Sequence, residues 1–242
     1  MKRLNIVISG YGKMGREVEK VARMKSHTIV AKLDNEEDWK QFIHSPAKAD
    51  VVIDFSMPSV VMDVFKRCFE LNIPLVTGTT GWYNDKKIVF EMCKKKDATF
   101  FYAPNFSIGT NLFFYINSKL AEVMNRVEGY DVSITETHHI HKLDAPSGTA
   151  IKLANDVVDR MDTLTGWLLE KKQEDKISIE SIRKGEVTGI HKIRWNSKSD
   201  EITLIHEAKN RTGFALGAVQ AATFIQGKKG IFTMNDLLNL NY

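Results

Sequence analysis

Cysteine is scarce in this 242-residue chain, with only Cys68 and Cys93. Each falls in a helical pattern (VFKRCFEL and VFEMCKKK) and neither has a CxxC spacing, so two buried, reduced thiols are expected rather than a disulfide or a redox pair. Long apolar runs are missing too. None reaches the roughly 18 residues needed to span a bilayer, and no membrane partner is expected. The opening MKRLNIVISG starts like a secretion signal for three residues, then becomes a glycine-punctuated strand with no cleavage site, which favours a cytoplasmic protein. Charge of one sign is also lacking: 34 Lys and Arg stand against 30 Asp and Glu, a net +4. The basic residues are scattered apart from KKK at 94–96 and GKKG at 227–230, which read as solvated faces or helix ends rather than nucleic-acid patches, so no nucleic-acid partner is expected. The mild positive balance suits an anionic substrate or cofactor. There is no repeat, low-complexity tract or flexible linker.

What is present begins with LNIVISGYGKMGREVEKVAR, a β-branched run, a glycine turn and an amphipathic helix. Gly10, Gly12 and Gly15 form G-x-G-x-x-G, in which glycine permits a tight turn, close approach to a pyrophosphate and close helix–strand packing. The helix start offers free N–H groups and a partial positive charge to phosphate. A second strand, TIVAKLD, ends in Asp34, 19 residues beyond Gly15. That is where an acidic residue meets the adenosine ribose of a dinucleotide. The competing reading is a tight turn that binds nothing.

The alternation continues through the apolar strand DVVIDFS, the helix PSVVMDVFKRCFEL with proline at its start, the strand IPLVTGTTGW, the helix NDKKIVFEMCKKK and the strand ATFFYAPNFS. Repeated β-α-β units predict an α/β fold with a doubly wound parallel sheet. Ligands then sit at the carboxyl ends of the strands, where GYGKMG, DFS at 54–56, GTTG at 78–81 and APNF at 103–106 gather. Phe55 is read equally well as an ordinary strand-end aromatic or as part of that site.

After Asn105 the pattern changes. NLFFYINSKLAEVMNRV is a long amphipathic helix and YDVSITETHH a strand. The helix GTAIKLANDVVDRM follows. The runs KISIESIR, TGIHKIRW and EITLIHEA then alternate apolar and polar residues, as a mixed or antiparallel sheet with one covered face would. TGFALGAVQAATFIQGKKG is helical, with small residues for close packing. The expected layout is a dinucleotide-binding domain over 1–106, a mixed α+β domain over 107–215, and a helical segment over 216–242 that returns to the first domain.

The segment HHIHKLDAPSGT at 138–149 places three of the seven histidines within four residues. Histidine and lysine together donate protons and neutralise carboxylates, which suits a small dianionic substrate. Ser147, Gly148 and Thr149 precede a helix whose N–H groups can hold a carboxylate. Pro146 pre-sets the turn, and Asp144 can orient a neighbouring histidine or lysine. A metal site on His138, His139 and His141 lacks a clear fourth ligand and faces Lys142, so no metal is expected. A solvated loop with structural histidines remains open, and a Ser147 nucleophile lacks the G-x-S-x-G elbow.

Together, HHIHKLDAPSGTA, GYGKMG, GTTG and APNFSIGTN closely resemble the 4-hydroxy-tetrahydrodipicolinate reductases (dihydrodipicolinate reductases) of lysine and diaminopimelate biosynthesis. The likeness runs over almost the whole chain, with IRKGEVTGIH, LIHEAKNRTGFALGA and GIFTMNDLLNL resembling later family motifs. It implies a Rossmann-type domain, a second domain for substrate binding and oligomerisation whose sheet builds a homotetramer, and reduction of a cyclic dicarboxylate with NADH or NADPH. On the matching positions, His138 and Lys142 would be the acid–base pair, with Lys142 delivering the proton. His139 would contact one substrate carboxylate, and Gly148 with Thr149 the other. Ser9, Gly10, Tyr11, Gly12, Lys13, Met14, Asp34, Phe55, Gly78, Thr79, Thr80, Ala103, Pro104, Asn105 and Phe106 would line the cofactor.

Three departures stand out. The first glycine of SGYGKMG is shifted by one from the family pattern, the segment between Asp34 and Asp50 is short, and Asn35 stands where some members have arginine. Asp34 favours NADH, while Lys13 and Arg16 leave NADPH open. Rival readings are a related nicotinamide oxidoreductase acting on another small amino or keto acid, and a dinucleotide sensor without turnover.

Overall fold

The computed structural model describes residues 3–44 and 48–241, so part of the short segment after Asp34 lies outside the described residues. Two compact units are present. One comprises residues up to Ile108 together with Arg211–Asn241, and the other Gly109–Asn210. Among the described residues no helix is long and apolar enough to cross a membrane.

The first unit begins β1 (Asn5–Ser9), α1 (Lys13–Met24), β2 (Thr28–Leu33), α2 (Glu36–His44), β3 (Val51–Asp54), α3 (Val61–Glu70), β4 (Leu75–Thr77), α4 (Lys86–Lys95) and β5 (Thr99–Tyr102). The second unit takes most of α5 (Ile108–Met124), then β6 (Asp131–His138), α6 (Gly148–Val158), β7 (Gly166–Leu169), β8 (Lys176–Arg183), β9 (Ile190–Asn196) and β10 (Glu201–Glu207). The chain returns to the first unit as α7 (Thr212–Phe224), β11 (Gly230–Phe232) and α8 (Met234–Leu238).

Six parallel strands in the order β11-β5-β4-β3-β1-β2 form the first sheet. Both its faces are covered, so β3 and β4 are apolar at every position but their last and β1 is polar only at its ends, Asn5 and Ser9: β1 and β3 alternate between two cores. Ile6, Ile8, Val51 and Ile53 pack with Val18, Val21 and Ala22 of α1 and Ala215, Ala218 and Ala222 of α7. Val7 and Val52 pack oppositely with Trp39, Phe42, Val64, Phe65 and Val89 of α2, α3 and α4. The small residues of α7 permit close approach: a Cβ at Gly217 would stand 1.9 Å from the Phe106 carbonyl oxygen. Pro58 does not open α3, because Met57 first accepts from Val60 and Val61 in a turn and the helix starts at Val61. The sequence pattern also passed over α2, β7 and β11, each short or weakly alternating.

The chain departs in opposite directions after β1 and β3, so their carboxyl ends form the switch point where a crevice opens. One buried carboxyl group ties this end together. Asp54 has no exposed surface and accepts from Ser9 Oγ at 3.0 Å, Thr77 Oγ1 at 2.7 Å, Thr79 Oγ1 at 2.8 Å and the Ser56 N–H at 3.2 Å.

The second unit has a mixed sheet ordered β10-β9-β6-β8-β7, antiparallel over β10-β9-β6 and parallel over β6-β8-β7. On one face Ile134, Ile177, Ile179, Ile193 and Trp195 pack under Phe113, Phe114 and Ala121 of α5 and Ala150, Leu153 and Val157 of α6. The other face carries Ser133, Thr135, Ser178, Lys192 and Arg194, and Ile205 in β10 is 60% exposed.

Replacing Asp54 by Ala should leave the buried Ser9 and Thr77 hydroxyls without an acceptor, and that of Thr79 with only the Ser56 carbonyl at 3.3 Å, and lower the unfolding free energy by about 2–4 kcal/mol. Urea denaturation checks this, and a loss below about 1 kcal/mol would show that Asp54 does not tie the strand ends.

Candidate active site

In the second unit the apolar stripe of the covered sheet face turns polar as the strands end. Side chains two apart share a face, so Ile134 is followed by Glu136 and His138, Ile193 is preceded by His191, and Ile179 is followed by Ser181 and Arg183. Glu136 pairs with both Ser181 and His191 across the ladder, and His138 with Arg183.

Glu136 is wholly buried. It accepts from His138 Nδ1 through one oxygen and from Arg183 Nη1 at 3.1 Å through the other. Burial by itself would raise its pKa, but the hydrogen bond from His138 leads a set of favourable contacts that hold it well below the usual carboxylate range. The far side of the His138 ring lies against Gly189, where a Cβ would come 3.1 Å from Nε2.

The loop 138–147 is stitched to the turn after β8. Lys184 N–H donates to the His138 carbonyl at 2.8 Å and Ile140 N–H to that of Gly185 at 3.1 Å. Arg183 donates to the carbonyls of Lys142 at 3.3 Å and Asp144 at 2.7 Å. Lys142 Nζ lies 2.7 and 2.8 Å from the two Asp144 oxygens, and this bond lowers the Asp144 pKa. His139 Nδ1 is buried without a partner. Ser147 caps α6, its Oγ accepting from Ala150 N–H at 3.2 Å and meeting His191 Nε2 at 3.1 Å. The hydroxyl is therefore engaged in a cap. The N–H groups of Gly148 and Thr149 have no carbonyl to bond within the helix, and the space beside the Gly148 Cα is open.

His138, His139 and His141 do not form a ligand set. A different trio, Glu136, His138 and His191, brings its ligand atoms within 4.8 Å of one another. Its carboxylate already serves His138 and Arg183, an arrangement that positions an imidazole. Glu136, Arg183, Gly189 and His191 had no assigned role in the sequence pattern, although the period-2 continuation of each apolar strand into a polar residue was a readable signal.

In the first unit a cavity of about 440 Å³ opens at the switch point, lined among others by Ser9, Gly10, Gly12, Asp34 and Phe55. Gly10 has φ +79° and its Cβ would strike the Phe55 carbonyl, while a Cβ on Gly15 would meet the Gly10 oxygen at 2.3 Å. Gly12, at the uncapped start of α1, has nothing within 4 Å. Ser56 Oγ, on the cavity wall, is buried without a partner. This cradle fits a dinucleotide whose pyrophosphate rests on the α1 N-terminus. Asp34 Oδ1 accepts the Tyr11 N–H at 2.7 Å, which aligns its carboxylate with the turn.

The other expected cofactor residues lie outside this lining. The Tyr11 hydroxyl turns to Glu19 and Lys32. Lys13 and Thr80 are exposed, and Met14 packs on the core. Gly78 abuts the Phe55 ring, and Thr79 serves Asp54. Ala103 and Phe106 are core residues, Pro104 is exposed, and Asn105 accepts the Ser107 N–H at 2.8 Å.

A doubly wound sheet with a glycine turn at its switch point, on a chain that also carries a loop rich in histidine and lysine, fits the class of nicotinamide-dinucleotide oxidoreductases. Comparison with known proteins narrows this. The family model for the dihydrodipicolinate reductase N-terminus matches residues 4–106 and that for its C-terminus residues 109–238. The 4-hydroxy-tetrahydrodipicolinate reductase of Christiangramia forsetii is 45% identical over 236 residues, 98% of each chain. That of Rickettsia rickettsii is 34% identical over 244 residues, covering 98% of this chain and all of the relative. A dipicolinate-bound dihydrodipicolinate reductase from Paenisporosarcina sp. TG-14 superposes with TM-score 0.78 at 25% identity, over 96% and 98% of the two chains. An amine dehydrogenase from Mycobacterium smegmatis shares the fold, with TM-score 0.61 at 12% identity over 100% of this chain and 98% of its own. The chain belongs to the dihydrodipicolinate reductase family.

His191 is 5% exposed. Burial, aided by the neighbouring His138 charge, pushes its pKa from 6.5 to about 3, and burial also lowers His27 and His206. The unfolded chain therefore binds more protons below pH 6.5, and the stability present above that pH should fall as pH drops toward 3. For His191 the slope approaches about 1.4 kcal/mol per unit. Chemical denaturation at several pH values should show this decline already between 6.5 and 5, less steeply in H191Q. A flat profile would mean that the histidine is not held neutral.

Proposed function

We propose that this protein catalyses the reduction of 4-hydroxy-tetrahydrodipicolinate to tetrahydrodipicolinate with NADH or NADPH, in lysine and diaminopimelate biosynthesis. Hydride and a proton are added to the ring and water is lost. The observation that carries this reading is the Glu136–His138 pair buried behind a loop that also presents Lys142.

When bound, the dinucleotide supplies the hydride. Lys142 Nζ delivers the proton, and its positive charge stabilises the negative charge that builds on the ring as hydride arrives. Asp144 and the carbonyl contacts from Arg183 hold that lysine's loop in place. His138, with Nδ1 committed to Glu136, completes the acid–base pair. The unpartnered His139 Nδ1 suits one substrate carboxylate. The first N–H groups of α6, at Gly148 and Thr149, suit the other. The glycine turn, Asp34 and Phe55 hold the cofactor, with the remaining expected residues supporting those loops. The polar, uncovered face of the second sheet is the surface through which a homotetramer would assemble. A dinucleotide sensor would have no use for a buried carboxylate behind an imidazole, and this favours the catalytic reading.

The test is a coupled assay, with substrate generated in situ from pyruvate and aspartate semialdehyde by the preceding synthase. Synthase-dependent oxidation of NADH or NADPH is expected. No oxidation by a folded protein that still binds dinucleotide would shift the reading to another substrate or to sensing. Lys142→Ala should lose about 10²–10⁴-fold in kcat with dinucleotide binding retained, and unchanged turnover would remove Lys142 as the proton donor.

Glu136 acts through His138 and is a positioning residue. Glu136→Gln should lower kcat about 10–100-fold with a smaller change in KM and a displaced acid limb of the pH–rate profile. A parallel loss of thermal stability with an unmoved profile would assign Glu136 a purely structural role.

A further inference from the structure

The pocket at the ends of β1, β2 and β3 carries an unusual charge arrangement for a site that takes a dinucleotide. Three of its lining side chains are acids, Asp34, Glu36 and Asp63, and a single one is a cation, Arg67. That cation is already engaged. Arg67 Nη2 lies 2.7 Å from each Glu36 oxygen, and its guanidinium sits 5.4 Å from the Trp39 ring centroid. Its side chain is 21% exposed, against 61% for Glu36. Both members of the pair line the pocket, and the guanidinium is the less exposed of the two.

The β2–α2 turn that presents Asp34 and Glu36 is held by hydrogen bonds, and Asp63 stands on α3. Asp38 accepts the N–H groups of Asp34 at 2.8 Å and Asn35 at 3.2 Å, and Asn35 accepts that of Asp38 at 3.0 Å. Glu36, Glu37 and Asp38 fill the first turn of α2. Among nearby cations, Lys32 is bound to Glu19 at 2.7 Å and to the Tyr11 hydroxyl at 2.8 Å, while Lys13 and Arg16 lie outside the pocket's lining, Arg16 with its guanidinium 5.6 Å from the Tyr11 ring centroid.

NADH offers hydroxyl donors to this wall, which carboxylates accept. NADPH brings a phosphate dianion, which needs a free cation and is repelled by carboxylates. We infer that Glu36, by sequestering Arg67 at the adenosine end of the pocket, makes this protein selective for NADH over NADPH. The inference rests on the nicotinamide reading given above. It adds the Glu36–Arg67 pair as the specificity-determining element.

The experiment is titration of the full-length protein with NADH and with NADPH, read by nucleotide fluorescence or calorimetry, so that no turnover is needed. Wild type should bind NADH at least about tenfold more tightly. E36Q frees Arg67 and removes a negative charge, and should improve NADPH affinity relative to NADH by about three- to tenfold. In the double variant E36Q/R67A this gain should disappear, which assigns it to the released guanidinium rather than to charge removal alone. Glu36 is largely exposed, so E36Q should stay folded, and NADH binding serves as its control. Equal affinities in wild type, an unchanged ratio in E36Q, or a gain that survives in the double variant would each overturn the inference. Each of those results leaves the reductase reading standing. Binding of neither dinucleotide by the wild type would overturn both.

Discussion

The second unit is organised by a carboxylate that has no contact with water. Glu136 sits where the hydrophobic face of the mixed sheet runs out, and an uncompensated charge there would cost several kcal/mol. His138 and Arg183 supply the compensation. The same arginine then reaches two carbonyls of the loop that bears Lys142. Charge burial, orientation of the imidazole and shape of the loop are therefore one arrangement. Gly189 belongs to it by leaving room for the His138 ring.

The first unit repeats the device for a different purpose. Asp54 is equally buried, but its partners are hydroxyls and an N–H rather than cations. They come from the ends of β1 and β4 and from the loops after β3 and β4. Neutral donors brace strand ends without placing a positive charge beside the pocket, and the glycine turn is left to meet phosphate through backbone N–H groups. The distribution of charge in the two units follows their tasks. Lys142 and, from β8, Arg183 stand at the loop expected to meet a dicarboxylate, and acids gather on the adenosine end of the dinucleotide pocket.

Buried histidines add a cost on the acid side. His191 is packed against His138 with ring centroids 5.1 Å apart and takes its hydrogen bond from the Ser147 hydroxyl or gives one to it. Remaining uncharged there suits a residue that helps fix the start of α6, and ties the integrity of that helix start to neutral pH.

By itself the sequence determined the strand–helix alternation, the glycine turn, the position of Asp34 and the composition of the loop at 138–149. These are local matters: period-2 and period-3.6 patterns and the steric freedom of glycine act within a few residues. It also marked Ser147 as preceding a helix, as the capping hydrogen bond requires. Tertiary structure alone decided which polar residues meet. Glu136 and Arg183 are 47 residues apart, Glu36 and Arg67 are 31, and Ser9 and Asp54 are 45. Strand register and crossover bring each pair together, and neither leaves a trace in local periodicity. The same reason explains why the engagement of Thr79 with Asp54, and of Phe106 with the core, could not be read beside their expected place along the cofactor. A residue near a strand's carboxyl end can face the ligand or brace the loop that does, and only its packed neighbours settle which.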